Sequence, residues 1–149
     1  MRLVDATEGP PRVTDQLFGL ELQSMAGRIG AMTLEEVKTI LEAEVVTGDN
    51  LEEIAVAMGC GSDLMSDVLA FTKTGALLLT GLTNAQVVRT SDMADVVAIC
   101  FVRGKTPPPE TIELAERQNL PLLMTRLPMF EACGRLYREG LMGCSEYHG

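Results

Sequence analysis

The second half of this 149-residue chain repeats one pattern three times: a short apolar run, a turn, then a segment with helical spacing. The runs fall at residues 76–80, 96–102 and 121–125. The helical segments are predicted over about 84–93, 109–118 and 130–139. Runs that are apolar throughout, rather than at alternate positions, belong to strands covered on both faces. Alternating them with helices specifies a parallel sheet joined by right-handed crossovers. The chain is therefore expected to be α/β: a single three-layer domain with a mainly parallel sheet flanked by helices. Local signals agree. Pro107-Pro108-Pro109 stops a strand and primes a helix, and Gly140 ends the last helix.

The first half is less regular. Thr33 with Glu36 three residues later is a capping box, and Leu34, Val37, Ile40 and Leu41 trace one apolar face, which predicts a helix to about residue 43. Val45-Val46-Thr47 reads as a strand ended by Gly48-Asp49-Asn50, and residues 54–58 read as another. Gly59-Cys60-Gly61 reads as a flexible hinge, after which Ser62 caps a helix through Phe71 with Leu64, Val68 and Leu69 inward. Residues 1–31 stand apart. Gly9-Pro10-Pro11 breaks structure there, and Phe18, Leu22, Met25 and Ile29 fall at helical spacing among glycines. The segment reads equally as a short amphipathic helix or as a poorly ordered extension. The expected organisation is an N-terminal extension over 1–31, a domain over 32–141 and a C-terminal tail over 142–149.

Charge narrows the function. Twelve Lys and Arg against twenty-one Asp and Glu leave a net charge of −9, which argues against nucleic acid and against an anionic membrane surface as partners. The absence of Trp, with two Tyr and four Phe, leaves few platforms for stacking bases. No apolar leader opens the sequence, and the run at 96–102 is far short of the ~20 residues that span a bilayer. A cytoplasmic protein is expected. Cys60, Cys100, Cys133 and Cys144 show no Cys-x-x-Cys spacing, so they read first as reduced thiols serving as small apolar residues.

In an open α/β sheet, ligands bind beyond the carboxyl ends of the strands, near helix N-termini. Three loops qualify: Thr80-Gly81-Leu82-Thr83-Asn84, then Arg103-Gly104-Lys105-Thr106, then Thr125-Arg126-Leu127. Their backbone N–H groups with Arg103, Lys105 and Arg126 would make a local anion site. The plainer reading is solvated turns with Asn84 as an N-cap. Gly104-Lys105-Thr106 is not a P-loop, because position 99 carries Ile where the motif needs Gly, and three prolines without N–H groups follow. Asp63 and Asp67, with Ser62 and Ser66, would share one face of the first turns of a helix. There they would hold Mg²⁺ through waters or accept hydrogen bonds from a ligand's hydroxyls, or they would simply complement the helix dipole. His148, the sole histidine, sits in a tail with Cys144; two ligands make no zinc site.

Ser62-Asp63-Leu64-Met65-Ser66-Asp67-Val68-Leu69-Ala70 resembles a signature of stand-alone DRTGG-domain proteins. Leu79-Thr80-Gly81-Leu82-Thr83-Asn84, Phe101-Val102-Arg103-Gly104-Lys105 and Phe130-Glu131-Ala132-Cys133-Gly134 continue the likeness in order over about residues 32–141. The resemblance implies a fold like the N-terminal domain of HPr kinase/phosphorylase, found also in phosphotransacetylases and between the CBS domains of regulated pyrophosphatases. In those proteins the domain is a regulatory accessory. Stand-alone relatives occur in anaerobic bacteria, often near iron-hydrogenase genes. The letters D-R-T-G-G are not consecutive here, and Arg103-Gly104-Lys105 stands where many relatives carry Thr-Gly-Gly. The expected function is a non-enzymatic regulatory module, homodimeric, without a required cofactor, binding a protein partner or a small anionic ligand such as a nucleotide. The expected ligand-binding residues are Ser62, Asp63, Ser66, Asp67, Thr80, Gly81, Thr83, Asn84, Arg103, Gly104, Lys105, Thr125 and Arg126. The alternatives are a small Mg²⁺-dependent phosphoryl- or acyl-transfer enzyme and a redox or metal accessory built on the four cysteines.

Overall fold

The computed structural model describes residues 31–145. The candidate helix through Phe18, Leu22, Met25 and Ile29 lies outside the described residues, as does His148. The chain runs through β1 (Met32–Thr33), α1 (Leu34–Leu41), β2 (Glu44–Thr47), a 3-10 turn (Leu51–Glu53), β3 (Ala55–Val56) and β4 (Met58–Gly61). It continues through α2 (Met65–Phe71), β5 (Ala76–Thr80), α3 (Ala85–Met93), β6 (Ala98–Phe101), α4 (Pro109–Arg117), β7 (Leu122–Met124) and α5 (Met129–Arg138). The main sheet has the order β2-β7-β6-β5-β4. Strands β4 to β7 are mutually parallel, and β2 joins β7 antiparallel at one edge. β1 and β3 form a separate antiparallel pair.

The pleat explains why the strands read as unbroken apolar runs. Successive side chains point to opposite faces, and here both faces are covered. Leu77, Leu79, Ala98, Cys100 and Leu123 pack with Leu34, Val37 and Leu41 of α1 and with Ala132 and Leu136 of α5. Leu78, Ile99, Phe101 and Leu122 pack with Val68 of α2, Val87 and Val88 of α3 and Ala115 of α4. Each such leucine contributes about 1.5–3 kcal/mol by leaving water. Spatial order follows chain order from β4 to β7, which lays α2, α3 and α4 in one layer. After β7 the chain crosses to the other face, where α5 joins α1. The three-layer α/β architecture is thus as expected, and the capping box is present, with Glu36 N–H on Thr33 Oγ1 and Thr33 N–H on Glu36 Oε1.

Three local expectations are corrected. Gly59-Cys60-Gly61 is strand β4, not a hinge. The glycines are there because α5 and the segment after it approach closely: a Cβ on Gly61 would lie 2.8 Å from Cys133 Sγ, and one on Gly59 would lie 3.1 Å from a Leu141 methyl. The helix expected from Ser62 begins at Met65. The Ser62 hydroxyl accepts the Leu64 N–H at 3.0 Å, a local turn that competes with helical geometry. Asp63 therefore stands outside α2, and it does not share a helix face with Asp67. Of the three side chains expected inward, only Val68 is buried; Leu64 is 58% exposed and Leu69 46%. Among the described residues, no helix is long and apolar enough to cross a membrane.

Candidate ligand-binding rim

Because β4 to β7 are parallel, their carboxyl ends at Gly61, Thr80, Phe101 and Met124 open on one rim of the sheet. The last three are followed by the three candidate loops, and β4 is followed by the cluster at 62–67. The tightest constellation joins the first two. Asp63 reaches across from the loop after β4, and its Oδ1 accepts the buried Thr80 hydroxyl at 2.8 Å and the Gly81 N–H at 2.7 Å. The Thr80 hydroxyl in turn accepts the Leu82 N–H at 3.2 Å. Lys105 approaches the same corner: its Nζ lies 3.8 Å from the point where a Gly81 Cβ would stand, and the Asp63 oxygens lie 3.5 and 3.6 Å from that point.

The loop after β6 is folded against the loop after β7. Arg103 and Gly104 are both left-handed, at φ 60 and 69. That geometry turns their N–H groups onto the Leu127 and Thr125 carbonyls, each at 2.8 Å. The Thr125 hydroxyl, buried, donates to the Leu41 carbonyl at 2.7 Å and accepts the Leu127 N–H at 3.2 Å. These loop N–H groups already have partners, so a backbone cradle of the P-loop kind is not open here. What projects outward are the exposed side chains of Arg103, Lys105 and Arg126. Ser66 and Asp67 lie exposed on the first turn of α2. The Thr83 carbonyl accepts the Thr111 hydroxyl at 2.8 Å, tying the start of α3 to α4.

One feature of the rim has no simple mark in the sequence. The four helices that follow the parallel strands have Leu64, Asn84, Pro108 and Pro128 at their N-cap positions, and none makes a side-chain capping hydrogen bond. Asn84 occupies the N-cap position of α3 without making the capping hydrogen bond expected of it. Prolines at two of the four positions were the available signal, since proline has no side-chain acceptor.

Two hollows lie away from these loops. One, of about 390 Å³, is apolar and sits between β4 and α5, where Gly59, Gly61, Cys133, Tyr137 and Leu141 are among its lining residues. The other, of about 530 Å³, lies near the turn after β2 and is lined in part by Asp49, Glu53, Glu116 and Asn119. The cysteines are free thiols. Burial, and secondarily Cys133, pushes the Cys100 thiol up to about 12. Burial, and secondarily Cys60, raises Cys133 as well. Among the described residues, no group of three or more His, Cys, Asp or Glu side chains is disposed to hold a metal ion.

No family model and no curated protein matches this chain. Among solved structures, it is similar to the CBS and DRTGG domains of the regulatory region of Clostridium perfringens pyrophosphatase, crystallised with the activator diadenosine tetraphosphate. The TM-score is 0.59 at 18% identity, over 76% of this chain and 51% of that one. This chain therefore spans about half the length of that structure. At that identity the likeness establishes the fold, which is the DRTGG-like α/β architecture expected from the motifs at 62–70 and 79–84.

Proposed function

We propose that the chain is a regulatory ligand-binding module whose carboxyl rim takes a small anionic ligand of the nucleotide class, and that it transfers no group. The observation that carries this reading is the four helix N-termini without side-chain caps beside exposed Arg103, Lys105 and Arg126. Helix N-termini attract anions through N–H groups and the helix dipole. The rim also carries Asp63, and Asp67, Glu110 and Glu131 stand in the first turns of α2, α4 and α5, so the reading places the anion where Arg103 and Arg126 come from adjoining loops. The similar regulatory region is complexed with a nucleotide activator, which favours the same ligand class. Asp63 takes the Gly81 N–H and the Thr80 hydroxyl, so the phosphates belong on the Arg103–Arg126 side, and the Asp63 corner suits a ligand hydroxyl.

Thermal shift with mono- and dinucleotides tests the reading. A ligand at 100 times its Kd stabilises the folded state by about 2.7 kcal/mol. Arg103→Ala with Arg126→Ala should remove that shift while leaving the unliganded melting temperature nearly unchanged. No shift with any nucleotide or phosphorylated metabolite, or steady turnover of one, would sink it.

We also propose homodimerisation through the α5 face, where Phe130 is 86% exposed and Tyr137 62%. These residues flank the apolar hollow beside β4, and low charge at such a face suits two acidic chains. Sedimentation of the wild type against Phe130→Asp tests this. A wild type that stays monomeric across a wide concentration range rules it out.

A further inference from the structure

The edge of β4 is not bare. The Gly59 N–H donates to the Met142 carbonyl at 2.8 Å, and Gly59 forms a parallel bridge with Gly143. The segment after α5 therefore meets the edge of β4 through a single parallel bridge. Continued by one residue, the register of that bridge would set Cys60 opposite Cys144. In a parallel pair, facing Cα atoms stand about 4.8 Å apart, inside the roughly 4.4–6.8 Å range of disulfide Cα separations.

The side chains are also on the same side. Gly59 and Gly61 face Leu141, Cys133 and Met129, so Cys60 between them points to the other face, and it packs in the layer of α2 to α4. There the Thr72 hydroxyl donates to Cys60 Sγ at 3.3 Å. The next residue along, Lys73, offers its backbone N–H to the Cys144 sulfur. Two thiols that touch consecutive residues of one segment, from facing register positions, are neighbours. Cys144 Sγ also lies 3.7 Å from the Gly59 carbonyl oxygen. Cys133 is the third thiol of the region, but it lies across β4, against Gly61.

We propose that Cys60 and Cys144 form a reversible dithiol–disulfide pair that clips the segment after α5 onto β4 in response to a low-molecular-weight disulfide such as oxidised glutathione. The Cys144 thiolate attacks one sulfur of the oxidant, whose S–S bond breaks and releases one glutathione thiolate. The Cys60 thiolate then attacks Cys144 in the mixed disulfide and expels the second glutathione thiolate. Two electrons pass from the protein thiols to the oxidant, and the two thiol protons end on two glutathione molecules. Burial raises the Cys144 thiol above its ordinary value, and Lys73 beside it offsets that only in part, so the exchange should quicken as pH rises. The bond would fix Met142 and Gly143, which line the hollow between β4 and α5, so the redox state would set how firmly one wall of that hollow is held.

The test is to equilibrate the full chain with glutathione buffers of increasing oxidised fraction, alkylate the remaining thiols and map the cross-links by mass spectrometry. The expected result is an intramolecular Cys60–Cys144 link in a monomeric band on a non-reducing gel, reversed by reduced glutathione. Cys133→Ser should keep the link, and Cys144→Ser should leave Cys60 as a glutathione adduct. Hydrogen exchange at the Gly59 amide should slow by about tenfold on oxidation, because local opening is restrained. A dominant Cys60–Cys133 link, an intermolecular link, or separate glutathione adducts on both cysteines of the wild type would each overturn the proposal. The wild-type map decides the matter even if a variant fails to fold.

Discussion

Asp63 and Gly81 stand on the loops after neighbouring parallel strands, and the Asp63 carboxylate closes the gap by accepting the Gly81 N–H at 2.7 Å. The same oxygen holds the buried Thr80 hydroxyl. A side chain from one loop thus completes the hydrogen bonding of the next, and it does so with a carboxylate on a rim that also carries Arg103, Lys105 and Arg126.

Two substitutions separate the charge from the hydrogen bonds. Asp63→Ala leaves the Thr80 hydroxyl and the Gly81 N–H without their acceptor. Hydrogen bonds to a charged group contribute roughly 1.5–3 kcal/mol, and since Asp63 is exposed the cost should be nearer the lower figure. Asp63→Asn keeps a carbonyl acceptor in place and should cost less than half as much. Removing the charge should also tighten an anionic ligand on this rim. Urea unfolding with calorimetric titration checks both effects. A negligible stability loss for Asp63→Ala would show that the carboxylate does not hold this corner, and equal losses for the two variants would show that an uncharged acceptor cannot replace it.

Arg103 makes the opposite kind of contribution. Its backbone is left-handed at φ 60, a conformation that costs a residue with a Cβ about 1–2 kcal/mol, and its exposed guanidinium makes no packing that would offset this. Strain of this sort collects where function needs a side chain in a set place. Arg103→Gly should therefore be more stable than Arg103→Ala by about 1 kcal/mol, since only glycine escapes the backbone cost. Both should lose anion affinity alike. If the alanine variant is as stable as the glycine variant, the left-handed turn is not strained.

The residues that could be read from the sequence are those whose partners are near in the chain or unspecific. Leu77-Leu78-Leu79 announces a strand buried on both faces whatever packs on it, and Thr33 with Glu36 closes its own capping box. The residues that could not be read answer to one particular distant neighbour. Gly59 and Gly61 have a hinge's composition, and only the approach of Leu141, Met129 and Cys133 makes them a strand. Asp63 stands out as a polar residue, but its place depends on a turn held by the Ser62 hydroxyl. The rim was legible as a set of loops because parallel strands all point one way. The partners that occupy its backbone N–H groups were not, since the carbonyls of Thr125 and Leu127 reach Gly104 and Arg103 across a sheet whose order the sequence does not state.

Gly48 is a third glycine fixed by a distant neighbour, this time with no freedom to adjust. It turns the chain after β2 at φ +114, and a Cβ there would lie 2.9 Å from the Pro121 Cβ and 3.0 Å from its Cα. A proline ring and its Cα just before β7 cannot step aside as a long side chain can. Gly48→Ala combines an unfavourable φ with a clash and should cost about 2 kcal/mol or more. Gly104 also has a positive φ, but nothing lies within 4 Å of its Cβ position, so Gly104→Ala should cost about 1 kcal/mol from the backbone alone. Chemical denaturation of the pair checks the ordering, and equal losses would put the Gly48 contact in error.

Alkaline pH should expose the buried thiol of β6. Cys100 is held neutral by burial, its pKa raised from 9.0 to about 12. The unfolded chain loses this proton near 9, while the folded chain keeps it until about 12. Above pH 9 the folded state thus binds more protons than the unfolded state, and stability falls as pH rises. The contribution is fully present below pH 9 and is lost progressively toward about 12, at a slope of at most about 1.4 kcal/mol per pH unit. Cys133 and Cys144 are also raised, and they add to the decline. Cys100→Ala should unfold more easily than wild type at pH 8, from lost packing, yet lose less stability between pH 8 and pH 10. Urea midpoints at the two pH values decide it, because parallel declines would mean that the Cys100 thiol ionises as readily in the folded chain as in the unfolded one.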